Sequence, residues 1–85
     1  MLKDEVYMQA FSRRLRLARE RTGMTREEAA EKIGISYKTL ADWELSNTAP
    51  HVSIIIHVAR TLNASVVWLI TGKKHRRQAN GSEID

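Results

Sequence analysis

Tyr37, Lys38, Thr39 and Asp42 bring a phenol, an ammonium, a hydroxyl and a carboxylate into six consecutive residues. They lie in a stretch whose apolar residues recur at helical spacing. Such groups make hydrogen bonds and ion pairs, and nothing around them completes bond-breaking chemistry. Glu27, Glu28 and Glu31 fall on the outer side of the preceding helical stretch, the pattern of a solvated face and not of paired catalytic acids. His51 and His57 are six apart and share no helix face. The chain has no cysteine, and no carboxylate completes a metal set with the histidines. Phosphate-cradling glycine loops and nucleophile motifs are missing from the sequence. The chemistry to expect is recognition, with no catalytic residue, no metal and no cofactor.

The elements that position these groups can be read from their neighbours. Residues 26–33 and 36–45 form two short helical patterns meeting at Gly34. Ala30 is small where two helices must cross closely. Gly34 stands where the first helix ends and the chain turns, a place that favours positive φ. Ile33, Ile35, Leu40 and Trp43 are apolar where both helices face a common core. This is the spacing of a helix-turn-helix, which presents its second helix to the DNA major groove. The base-reading candidates are then Tyr37, Lys38, Thr39 and, one turn later, Ala41 and Asp42. Lys38 can donate to guanine O6 or N7, or bind a phosphate; Thr39 can hydrogen-bond or touch a thymine methyl. Tyr37 either reads a base, packs on the protein or touches a phosphate. Asp42 can accept from cytosine N4, but nearby phosphates repel it. Thr25 and Ser36 stand at helix starts, where hydroxyls cap and phosphates bind. With Arg26, Asn47 and Thr48 they form the candidate phosphate-contacting set.

Bulk properties agree with a polyanionic partner, double-stranded DNA. The 85 residues carry a net charge of +4, unevenly placed. Residues 13–21 hold five arginines against Glu20, and residues 73–77 read Lys-Lys-His-Arg-Arg, while residues 26–44 are net acidic. Arg13, Arg16 and Arg21 read most simply as a solvated face. No apolar run is long enough to span a bilayer, and residues 1–5 show no signal-peptide pattern, so no membrane partner and a cytoplasmic location are expected.

The length suits one small domain. Residues 1–10 read as an N-terminal lead-in and the start of helix one, 11–72 as the DNA-binding domain, and 73–85 as a basic then polar tail, expected to be disordered. Five helices are expected, at about 8–21, 25–33, 36–45, 51–62 and 65–71, and no sheet. Met8, Phe11, Leu15 and Ala18 form the stripe of the first. Thr25 and Glu28 make a capping box at the second, which turns Ala29, Ala30 and Ile33 inward. Ser36 caps the third. Val52, Ile55, Val58, Ala59 and Leu62 line the fourth, with Asn63 as its left-handed stop, and Ser65 and Gly72 bound the fifth.

Several of these motifs, in this order, make residues 11–72 resemble the Cro/C1-type helix-turn-helix family of phage repressors and related bacterial regulators. They are Arg14-Leu15-Arg16 and Ala18-Arg19, Ala30 with Gly34, Trp43-Glu44, Pro50, and Trp68-Leu69-Ile70-Thr71-Gly72. The resemblance implies an all-α, compact five-helix, lambda-repressor-like domain and a transcriptional regulator, a repressor, reading a palindromic operator with residues 36–45. It also implies base-reading roles for Tyr37, Lys38 and Asp42, and a structural ion pair between Arg19 and Glu44. The chain departs from the family pattern in having Arg26 for the usual glutamine, Ala29 for a leucine and Ser46 for a glycine.

Ile54 and Ile56 widen the apolar stripe of the fourth helix, and Val67, Trp68 and Ile70 leave the fifth almost no polar face. An apolar surface of this kind needs something to bury it. A homodimer through Ile54, Val67, Trp68 and Ile70 is expected, formed by the helical domain itself. The alternative is an antitoxin-like interaction module on the same fold, whose apolar helices meet a protein partner such as a toxin or an antirepressor.

Overall fold

The structure, a computed structural model, describes residues 2–73. The tail expected to be disordered lies, from residue 74 onward, outside the described residues. Five helices follow one another: α1 (Leu2–Thr22), α2 (Arg26–Ile33), α3 (Tyr37–Glu44), α4 (Val52–Thr61) and α5 (Val66–Thr71). Among the described residues there is no strand.

Local chemistry sets most of the ends. The Thr25 hydroxyl accepts from the Glu28 amide at 3.1 Å while the Glu28 carboxylate accepts from the Thr25 amide at 2.9 Å, closing the capping box of α2. Gly34 ends that helix at φ 93, and Gly34 and Ile35 both return amides to the Ala30 carbonyl. A side chain there would force the left-handed region on an L-residue, so the sharp turn into α3 depends on glycine. Ser36 caps α3 and Ser65 caps α5. Asn63 stops α4 in the left-handed conformation, at φ 55. After α3, where the family has glycine, Ser46 takes a φ of 68. The Asn47 amide reaching back to the Asp42 carbonyl at 2.9 Å holds that turn.

α1 differs from the sequence expectation. It begins at Leu2, and the lead-in expected over residues 1–7 is helical from residue 2. No glycine or proline interrupts residues 2–10, and the Tyr7 ring stacks on Phe11, one turn on, at 6.1 Å.

The core draws on every helix: Phe11, Leu15 and Ala18 from α1, Ala29, Ala30 and Ile33 from α2, Leu40 and Trp43 from α3, Ile55, Val58 and Ala59 from α4, and Leu69 from α5. Leu62, just past α4, joins them. Val52, expected on the inward stripe, is 61% exposed; it is the first helical residue of α4 and overhangs the edge of the core a turn before Ile55. Trp68 and Ile70, read as outer surface, pack half-buried against the core. The six-residue α5 lies against both α1 and α4, so a wide arc of it faces inward.

Three side chains tie the frame together through long-range bonds to backbone carbonyls. The Arg14 guanidinium donates from Nε to the Leu69 carbonyl at 2.9 Å and from Nη2 to the Ile70 carbonyl at 3.1 Å. It thereby satisfies carbonyls that a helix end leaves without partners. Burial, and then the neighbouring Arg13, lower the Arg14 pKa from its ordinary value. The buried Ser12 hydroxyl donates to the Trp43 carbonyl, pinning α1 to α3. His57 Nε2 lies 2.7 Å from the Ile33 carbonyl at the C-terminal end of α2. A carbonyl only accepts, so this nitrogen carries the proton.

Candidate nucleic-acid interface

α2 and α3 pack against each other, and α3 also rests on α1. Leu40, Trp43 and Glu44 fix the inner face of α3. Tyr37 and Lys38 therefore emerge from its first turn into solvent; the Lys38 side chain is 83% exposed. Thr39 and Ala41 sit half-buried beside them. The Ser36 hydroxyl accepts from the Thr39 amide at 3.0 Å and donates to the Thr39 hydroxyl at 2.9 Å. Thr25 and Ser36 thus commit their hydroxyls to capping. What remains for a phosphate at those positions is the backbone donors of the helix starts.

Behind this surface is a three-residue ion cluster. Glu44 has no exposed side-chain area. Arg19 grips it with two parallel bonds, Nε to Oε2 at 2.7 Å and Nη2 to Oε1 at 3.0 Å. Its third nitrogen, Nη1, donates to the Met24 carbonyl at 3.0 Å. This fork geometry is the strong form of the carboxylate pair. Arg26 adds a second guanidinium, with Nε 3.0 Å from Glu44 Oε1 and Nη1 donating to the Tyr37 hydroxyl at 3.4 Å. The Glu44 hydrogen bond raises the Arg19 pKa against the opposing effect of burial. For Arg26 the Tyr37 bond and then Glu44 act in the same direction. The residue read from sequence as a phosphate contact is thus also part of the scaffold, joining the start of α2 to both ends of α3. Its Nη2 makes no hydrogen bond among the described residues.

A second network lies on the outer surface of α3. Lys38 Nζ donates to Asp42 Oδ2 at 3.1 Å, and Asn47 Nδ2 to Asp42 Oδ1 at 3.3 Å. Thr48, the next loop residue, is exposed. The Lys38 bond first, and then the Asn47 bond, lower the Asp42 pKa below its ordinary value. The folded-state value being the lower one, this contribution to stability is complete above the ordinary carboxylate range. It is lost as pH falls through the folded value. Carbon-detected NMR titration is expected to place the Asp42 midpoint below that of an unperturbed aspartate, and Lys38→Ala to move it back up. An unmoved midpoint in Lys38→Ala would show that the pair does not persist in solution.

Of the four residues assigned to a dimer surface, Ile54 and Val67 are 39% and 45% exposed. Trp68 and Ile70 are half-buried. Arg21, read as a solvated arginine, has its guanidinium carbon 4.9 Å from the centre of the Trp68 ring. Arg16 does lie in solvent, 3.8 Å from Glu20 one turn on. Among the described residues no group of three or more His, Asp or Glu side chains converges as a metal site, and no helix is long and apolar enough to cross a membrane.

Residues 15–69 match the family model described as Helix-turn-helix. Two curated proteins of Bacillus subtilis are similar. The HTH-type transcriptional regulator ImmR is 28% identical over 75 residues, 88% of this chain and 58% of that protein. The uncharacterized HTH-type transcriptional regulator YqaE is 25% identical over 67 residues, 79% of this chain and again 58% of that protein. The chain therefore spans less than two thirds of the length of these relatives. Among solved structures, the P22 c2 repressor in complex with a synthetic operator superposes with a TM-score of 0.70 at 23% identity, covering 76% of this chain and 98% of that one. A transcriptional regulator from Vibrio cholerae gives 0.74 at 20% identity, covering 82% of this chain and 39% of that one. These two likenesses establish the five-helix repressor-domain fold.

Proposed function

Because this chain belongs to the helix-turn-helix family, we propose that it is a sequence-specific DNA-binding transcriptional regulator that acts as a repressor and works in the cytoplasm. The observation that carries the reading is the first turn of α3. Tyr37 and Lys38 stand in solvent there, on a helix whose far end is locked through Glu44 to α1 and α2. A recognition helix needs this combination of exposed polar side chains and a rigid base. α3 enters the major groove, with Tyr37, Lys38, Thr39, Ala41 and Asp42 facing base edges. The backbone donors at Thr25 and Ser36, with Arg26, Asn47 and Thr48, hold the flanking phosphates. The likeness to two HTH-type transcriptional regulators supports regulation of transcription.

Lys38→Ala is the direct test of base reading. Specific binding is expected to weaken by roughly 1–3 kcal/mol while binding to random DNA changes much less. Fluorescence anisotropy on a selected site and on a scrambled duplex measures both. Equal losses on the two would assign Lys38 to phosphate. Two copies on a palindromic site are part of the same proposal, with Ile54 and Val67 as the exposed apolar residues of their contact. The same exposure also favours the second reading, an antitoxin-like module binding a toxin or antirepressor. A chain with no affinity for DNA at low salt would favour that one.

A further inference from the structure

An acidic side chain on a surface meant for DNA needs a reason. Asp42 is the only carboxylate among the five residues proposed to face the bases. It is also the centre of the outer network, taking Lys38 on one oxygen and Asn47 on the other. Its side chain is 27% exposed while that of Lys38 is 83% exposed. The lysine reaches one turn along the helix to Asp42, and the carboxylate is held by two donors. As a result Lys38, the one cation of α3, arrives at DNA already paired. Its charge is partly offset by the carboxylate, and one of its three donors is already engaged.

We propose that Asp42 is a specificity-determining residue that works by exclusion, its carboxylate holding Lys38 away from the DNA backbone so that Lys38 is released only where the bases themselves satisfy both partners. The inference rests on the reading of α3 as the recognition helix. A base pair or step that offers guanine O6 or N7 to Lys38 and a cytosine N4 amino group to Asp42 replaces the internal pair with two complementary hydrogen bonds. A base pair that turns no amino group towards Asp42 leaves the carboxylate facing acceptors and phosphates, and like-charge juxtaposition penalises that partner. The hydrogen bonds from Lys38 and Asn47 favour the ionised form of Asp42, so the charge persists at the near-neutral pH at which binding is measured.

The test is Asp42→Asn in the full chain, a near-isosteric change at a surface position that removes the charge. Binding to random duplex DNA is expected to tighten, and the slope of log affinity against log salt to steepen by about 0.9, the release expected for one added phosphate contact. The ratio of selected-site to random-DNA affinity is expected to fall by roughly 5- to 150-fold. Lys38→Ala should leave the random-DNA salt slope nearly unchanged in the wild-type background. In the Asp42→Asn background it should remove the added slope. Circular dichroism checks that each variant keeps its helices. A wild type that binds DNA, beside an Asp42→Asn variant with the same random-DNA affinity and slope, overturns the exclusion role and leaves the recognition-helix reading intact. A wild type with no DNA affinity at low salt overturns both.

Discussion

Replacing Glu44 by alanine is expected to destabilise the domain by about 3–5 kcal/mol. The carboxylate is wholly buried and holds two guanidinium groups. Its loss leaves the Arg19 side chain, only 12% exposed, without a counter-ion and places a second arginine near it. A domain of this size has a stability on the order of 5–15 kcal/mol in all, so a large fraction of the folded state is at stake. Arg19→Ala is expected to cost nearly as much. Arg26→Ala should cost less, because that side chain is 26% exposed and Arg19 still satisfies Glu44. Urea unfolding followed by circular dichroism gives these differences as shifts in midpoint at unchanged slope. A double Arg19→Ala, Glu44→Ala variant should be no less stable than either single one, since it removes the buried pair together and leaves without a carboxylate only Arg26, whose side chain is 26% exposed. Single losses that are small and strictly additive would show that water already reaches the cluster.

The second large effect concerns pairing of two copies on DNA. Val67→Glu is expected to reduce affinity for a full palindromic site by about 10²- to 10⁴-fold, the range lost when two linked contacts become one, while affinity for a single half-site stays the same. Val67 suits this test because it is 45% exposed. Trp68 does not, since it packs on the core beneath Arg21, and a charge there threatens the fold itself. Mobility-shift titration with full and half sites, beside sedimentation of the free protein, separates the outcomes. A Val67→Glu protein that binds the full site as tightly as the wild type would place the contact between copies on another surface.

The parts of this fold legible in the sequence are those whose partners are close along the chain. Thr25 with Glu28, Ser36 with Thr39, and Gly34 at the end of α2 are local devices, and residue type and spacing define them. Phe11, Leu15 and Ala18 of α1 and Ala29, Ala30 and Ile33 of α2 follow from periodicity in the same way, while Tyr7 and not Met8 extends the α1 stripe onto the core. The tethers that aim the helices were not legible. Arg14 bonds the carbonyls of Leu69 and Ile70, His57 meets the carbonyl of Ile33, and Ser12 that of Trp43. A backbone carbonyl has no signature in the sequence, and its partner lies tens of residues away. Arg26 belongs with these. Its place at the start of α2 suggested an outward phosphate contact, yet Glu44, eighteen residues on, draws its Nε inward. A buried acid with a second basic residue at a crossing helix start is the signal that could have revealed it. The half-burial of Trp68 and Ile70 was hidden for another reason. A six-residue helix has no periodicity long enough to divide its inside from its outside.

Selection of bound sequences from a random duplex pool tests the recognition-helix reading most directly, because it presumes neither an operator nor an oligomeric state. The expected result is enrichment of a palindrome whose half-sites are centred about one helical turn apart, ~34 Å, with G·C pairs where Lys38 and Asp42 face the groove. No enrichment over the starting pool at low salt, with the protein helical and monodisperse, would contradict it.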